Sequence, residues 1–218
     1  MGLRWTATLS SRREVFTRYA VAWIFLAAVA IGEIVLTTLS PSHAAHVLRL
    51  ASTNVTNLMH HPIAVIVVSA FLPQAALLAW LALIPLAMFG ANRALGNWRI
   101  ALVCAAGHII GTGVSEGVQA YRIAHGLLPH SAGNIIDVGP SYVVVCAIVV
   151  AVMFGSWPAR VAALADFVIL VLAGGIFDGL TQLQVAAVGH ATAMTVAAVG
   201  GSVLVRRRRH ADQARPAA

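Results

Sequence analysis

Apolar positions along this chain do not recur at the 3.6-residue or 2-residue spacing of a half-buried helix or strand. They form long continuous runs: Tyr19–Leu39, Pro62–Phe89, Ile100–Ala120, Ile135–Phe154, Val161–Ile176 and Leu183–Val205. A helix crossing a bilayer core needs about 20 apolar residues, or somewhat fewer when other helices enclose it. The second run is too long for one crossing and is interrupted by Pro73, which cannot continue a helical hydrogen-bond ladder. The pattern therefore predicts a re-entrant or interfacial piece at Pro62–Leu72, then a crossing at Gln74–Phe89 kinked near Pro85. It predicts an all-α polytopic membrane protein with six crossings and a membrane-embedded first outer loop. Residues 1–18 form a tail, 19–205 the membrane domain, and 206–218 a disordered basic tail.

Composition and charge sharpen this picture. Apolar residues are 60% and charged residues only 10% of 218, against roughly 45–50% apolar in soluble domains. The net charge of +7 is all arginine, because lysine is absent. With six crossings and the amino terminus inside, the inner side receives Arg4, Arg12, Arg13, Arg18, Arg93, Arg99, Arg160, Arg206–Arg209 and Arg215. The outer side receives only Arg49 and Arg122. That asymmetry follows the positive-inside rule, whereas a seventh crossing would put Arg206–Arg209 outside. Both termini are expected in the cytoplasm. Ser11-Arg12-Arg13 ahead of an apolar run could pass for a twin-arginine signal, but cleaving it would spoil this parity. Arginines flanking apolar runs point to membrane lipids as partners and not to nucleic acid. Cys104 and Cys146 fall inside crossings and make no disulfide framework or metal spacing. There is no phosphate loop, dinucleotide fingerprint or haem motif, so no cofactor or metal is expected.

Ionisable residues inside a bilayer each cost about 2.5–3.5 kcal/mol on insertion scales, so their positions carry information. The expected boundaries put Ser141 six residues into crossing four and His190 seven into crossing six, at one depth below the outer face. Glu33 and Glu116 lie toward the outer ends of crossings one and three, and Asp137 sits at the mouth of crossing four. His108 and Asp166 fall in the inner half and could pair. An imidazole within hydrogen-bond reach can take a serine's proton and make it a nucleophile. Gly139 and Gly189 stand beside Ser141 and His190; glycine allows close packing and can leave peptide N–H groups to face an oxyanion. Gly189, Ala193, Ala197 and Gly201 form a small-residue stripe suited to tight helix packing. The same residues also fit a plain structural role, as hydrogen-bonding groups between helices.

At Arg49–Phe71 (RLASTNVTNLMHHPIAVIVVSAF), Gly107–Gly117 (GHIIGTGVSEG), Ile136–Tyr142 (IDVGPSY) and Gly189-His190, the chain resembles the rhomboid superfamily of intramembrane serine proteases. More closely, it resembles a divergent rhomboid-like branch of bacterial membrane proteins. The resemblance implies a six-helix bundle in the bacterial plasma membrane, with Pro62–Leu72 as the family's embedded loop. It also implies a nucleophile in a Gly-x-Ser-Gly motif on crossing four and a base histidine on crossing six, the roles of Ser141 and His190. Glu116, Asp137 and His108 are possible supporting groups. The sequence departs from the family in three places. Tyr142 replaces the glycine after the serine, and Val145 replaces the aromatic residue four positions after it that packs on the base. Gln74–Phe89 also lacks the His-x-x-x-Asn pair that helps hold the oxyanion. Three functions stay open. The first is an intramembrane serine endopeptidase acting on transmembrane-helix substrates. The second is a weak or inactive rhomboid-like pseudoprotease that binds helix clients. The third is a small proton- or ion-coupled transporter using Glu33, Glu116, His108 and Asp166.

Overall fold

The structure, a computed structural model, describes residues 14–73 and 77–213. These residues form helices joined by turns and short 3-10 segments. Helix α1 spans Ala20–Thr38, and three short helices follow it: α2 (Pro41–Ala51), α3 (Val55–His60) and α4 (Pro62–Ser69). Then come α5 (Leu77–Leu95), α6 (Asn97–Ala124), α7 (Ser141–Phe154), α8 (Trp157–Leu172) and α9 (Val185–Gln213). Local chemistry explains the breaks. Ser40 and Asn54 cap α2 and α3 by accepting the His43 and Asn57 N–H groups, and Pro41 and Pro62 occupy first-turn positions. Gly96, at φ 82°, turns α5 directly into α6, a backbone shape that costs glycine little.

Among the described residues, four segments are long and apolar enough to cross a membrane by length and composition: Ala20–Thr38, Leu78–Leu95, Asn97–Ala124 and Val185–Arg208. Helices α7 and α8 are shorter, at 14 and 16 residues. Helix α7 is enclosed by its neighbours, with Val144, Val145, Cys146, Ala147 and Val150 fully buried. That explains why it is apolar on every face. Helix α9 packs on both α6 and α7, and α7 also lies against α5 and α8. The outer faces of the bundle carry Ile24, Ile31, Leu78, Leu172 and Val199, each more than half exposed. Apolar side chains turned outward on helices of crossing length mark a lipid-facing surface.

Three boundaries differ from expectation. Crossing two is helical over Leu77–Leu95, with Pro85 inside it, and Gln74 lies outside the described residues. Crossing four begins at Ser141 and not at Ile135, because Gly139 (φ 140°) and Pro140 hold the preceding segment out of helical geometry. The expected disordered tail is instead helix through Gln213. No glycine or proline interrupts Arg206–Gln213 to stop propagation from Val205.

One polar clamp ties the first helix to the bundle. Buried Asn92 accepts the Ala22 N–H at 3.3 Å and donates to the Arg18 carbonyl and to Asn97 Oδ1, both at 3.0 Å. Asn97 donates in turn to the Thr17 carbonyl at 2.7 Å. These amides satisfy backbone groups at the start of α1, where no side chain of the helix itself forms a cap.

Candidate functional site

The site lies at the end of the bundle where α7 and α9 begin. Here the segment between α1 and α4 folds back over the loop preceding α7. Ser52, Thr53 and Asn54 are buried, and two of them bind that loop. The Asp137 N–H donates to Ser52 Oγ at 2.8 Å, and the Thr53 N–H donates to the Asp137 carbonyl at 2.9 Å. The Gly139 N–H donates to the Ser69 carbonyl at 2.9 Å, so it is already occupied and does not face an oxyanion. Burial pushes the Asp137 carboxyl above its ordinary range, opposed by hydrogen bonds from the Tyr142 and Thr53 hydroxyls. Glu116 lies nearby, buried on α6, and its Oε1 has no hydrogen-bond partner among the described residues.

Ser141 and His190 make no hydrogen bond to each other. The His190 Nδ1–H donates to the Ile176 carbonyl at 2.9 Å, which fixes the tautomer with Nε2 as the acceptor. Nε2 is buried and has no hydrogen-bond partner among the described residues. The residue on His190 is Tyr142, whose ring meets the imidazole edge-to-face at 4.9 Å between centroids. Successive helical residues diverge by about 100°, so the Tyr142 contact turns Ser141 away. Ser141 instead lines a small pocket with Thr53, Ser69, His108 and Val138. The Tyr142 hydroxyl donates to Asp137 Oδ2 at 3.1 Å and also lies 3.4 Å from the Val185 carbonyl.

The two glycines act differently from one another. Gly189 makes room for Tyr142, since a methyl group there would overlap the tyrosine ring and hydroxyl. Gly139 supplies the left-handed backbone before Pro140. The small-residue stripe on α9 meets α6 as well as α7: Gly111 faces the Gly189 carbonyl and Ala193, and Cys146 Sγ donates to the Ala193 carbonyl at 3.3 Å. His108 does not pair with Asp166. Its Nε2–H donates to the Ile66 carbonyl at 2.8 Å, pinning α4 to α6, and its ring lies 5.9 Å from that of Tyr142. Neither Asp166 oxygen has a hydrogen-bond partner among the described residues.

Tyr142 as the partner of His190, and the Ser52–Thr53–Asn54 turn, were not among the groups expected at the site. A signal for Tyr142 was present, because two of the three departures, at Tyr142 and Val145, point the same way. If Tyr142 is the aromatic residue that packs on the base, the position four before it is Val138, and the residue after Val138 is Gly139. Such a three-residue shift would supply the missing glycine and the missing aromatic together, and would put Val138 where the family has its serine.

A groove of about 370 Å³ opens between α1, α4 and α6, lined by Ile24, Phe25, Val67, Phe71 and Ile109 among others, with His108 as its polar member. Among the described residues, no group of three or more His, Cys, Asp or Glu side chains could hold a metal ion. A family model described as rhomboid-like protein matches residues 16–211. No curated protein and no solved structure matches the chain.

Proposed function

The chain belongs to the rhomboid-like proteins, and from that premise we propose that it is a non-proteolytic member that binds transmembrane helices in the plasma membrane of a bacterium. One observation carries this reading: His190 Nε2, the acceptor a serine nucleophile would need, has no hydrogen-bond partner among the described residues, while the Tyr142 ring rests on the imidazole. A hydroxyl not bonded to its base stays protonated and is a poor nucleophile at neutral pH. The backbone N–H expected to hold an oxyanion is also committed, at Gly139, to the Ser69 carbonyl. Loss of one such donor costs about 2.7–4 kcal/mol of transition-state stabilisation in a protease. The groove between α1, α4 and α6 supports helix binding, because its apolar lining can take bulky side chains from a neighbouring helix.

The test is covalent labelling by a fluorophosphonate in reconstituted membranes. Wild type and Ser141→Ala are expected to be equally unlabelled, and Val138→Ser, which restores a hydroxyl four positions before Tyr142, is expected to gain labelling. Labelling of the wild type that disappears in Ser141→Ala would overturn the proposal. Helix binding is read separately, from a photo-crosslinker at Val67 or Ile109 and a co-reconstituted alanine–leucine single-span peptide. Adduct formation is expected there and not from Val199, which lines no part of the groove. Equal yields from all three positions would refute groove binding.

A further inference from the structure

At the end of the bundle where α9 begins, a cavity of about 530 Å³ lies between the last turns of α6, the loop before α7 and the first turn of α9. Arg122 is the cation in its lining, beside Gln119 and Gln182, while Ile135, Ile136 and Val185 supply an apolar wall. Arg122 Nη1 donates to the Gln182 carbonyl at 2.9 Å and to the Leu183 carbonyl at 3.2 Å, which uses both of its N–H bonds. The Nε–H and Nη2 groups have no hydrogen-bond partner among the described residues, and no carboxylate among them pairs with the guanidinium. Asp137 also lines the cavity, but its Oδ2 accepts from the hydroxyls of Tyr142 and Thr53, which lie outside the lining. The two loop carbonyls thus fix the guanidinium and leave the edge on which Nε–H and Nη2–H run parallel. That edge is the one that grips two oxygens of a single oxyanion.

We propose that this cavity binds a phosphate group through Arg122, carried by a phospholipid headgroup or by a free phosphate ester. The position of Arg122 along α6 favours the lipid source. From Trp98, exposed near the start of the helix, to Arg122 the rise is about 36 Å, against about 30 Å for a hydrocarbon core. With Trp98 at one interface, Arg122 reaches the headgroup level of the other. Tyr121 beside it is 59% exposed, as aromatic residues at that level commonly are. The isoleucine and valine wall can cover the glycerol and first methylenes of a lipid whose phosphate meets the guanidinium. Topology gives no reason for Arg122, because the arginines that orient the chain gather at the other end. A lipid phosphate does, and through the Gln182 and Leu183 carbonyls it ties the α8–α9 loop to the bilayer surface.

The test uses the full chain, delipidated in a neutral maltoside and titrated with dioleoyl phosphatidylglycerol, with dioleoylglycerol, which lacks the phosphate, or with sodium phosphate. Native mass spectrometry and thermal unfolding are the readouts. Saturable retention of phosphatidylglycerol over dioleoylglycerol, with a raised unfolding midpoint, is expected. Arg122→Gln is expected to weaken it about fivefold. Arg49→Gln removes one charge from the same end but lines no part of the cavity, and should keep it. Ala186→Trp, on the exposed first turn of α9, fills the cavity with Arg122 intact and should also weaken retention. That variant decides the matter if Arg122→Gln merely loosens the loop. Saturation by sodium phosphate with nothing added by the lipid supports the phosphate site and assigns it to a soluble ester. Equal retention of dioleoylglycerol, equal loss in Arg122→Gln and Arg49→Gln, full retention in Ala186→Trp, or no saturable binding of either phosphate would overturn it.

Discussion

The contact between Gly189 and Tyr142 sets the register of the whole site, and a double-mutant cycle can measure it. An alanine methyl at position 189 would overlap the Tyr142 ring and hydroxyl. Overpacking of this kind costs about 1–3 kcal/mol. Gly189 is also in the interior of α9, where alanine is intrinsically better than glycine by about 0.8–1.0 kcal/mol. Gly189→Ala should therefore destabilise the wild type by about 0–2 kcal/mol, the overlap cost less the propensity gain. Tyr142→Ala alone should cost about 3–5 kcal/mol, as for other large aromatics truncated in a core. In the Tyr142→Ala background the overlap is gone, and Gly189→Ala should stabilise by up to about 1 kcal/mol. The coupling between the two positions is then about 1–3 kcal/mol, the overlap cost itself, above the usual range for residues that do not touch. Unfolding in maltoside micelles titrated with dodecyl sulfate, followed by tryptophan fluorescence, reads all four corners. If Gly189→Ala costs the same with and without the tyrosine, Tyr142 does not rest on Gly189. The assignment of Val138 to the nucleophile's place falls with it.

Two further outcomes follow from the polar networks. Burial raises the Asp137 carboxyl above its unfolded value, so the folded state holds its proton over a pH window in which the unfolded chain has released it. Its contribution is complete below the ordinary carboxylate value and is lost as pH rises through the folded one, at about 1.4 kcal/mol per unit of displacement. Thermal midpoints measured upward from pH 4 should fall over that window in the wild type and flatten in Asp137→Asn; an unchanged slope would remove Asp137 as the cause. Asn92→Leu strips the buried amide that serves Ala22, Arg18 and Asn97, and should cost about 2–3 kcal/mol by leaving backbone groups at the start of α1 unpaired. Protease sensitivity near Arg18 should rise together with the loss; a variant as stable and as resistant as wild type would show that the clamp contributes nothing.

Much of the architecture was legible because bilayer helices declare themselves by composition. Runs such as Tyr19–Leu39 must satisfy their backbones internally in hydrocarbon, and a helix does so locally. The break at Pro73 and the separate piece at Pro62–Leu72 were readable for a related reason, since proline cannot pass through a helical ladder. The start of α7 was harder. Ile135–Phe154 is one apolar run, and apolarity does not distinguish an extended entrance from a helix. The Gly139-Pro140 pair was the available signal, because the residue before proline avoids helical geometry. Ser141 is therefore the first residue of α7 and not six residues into a crossing.

The chain alone determined a helical membrane protein of the rhomboid-like kind, the helix bearing His190, and the tight packing of the α9 small-residue stripe. Those are local properties: hydropathy over a window, a proline, a four-residue spacing. Only the tertiary structure decided which side chain on α7 faces His190, because that depends on the rotation of one helix against another, and each residue of offset turns the answer by about 100°. The same holds for Arg99, Arg160 and Arg208, which line one cavity of about 400 Å³ although Arg99 and Arg208 lie more than a hundred residues apart in the chain. Their charge was visible in the sequence; their convergence exists only once α6, α8 and α9 are packed side by side.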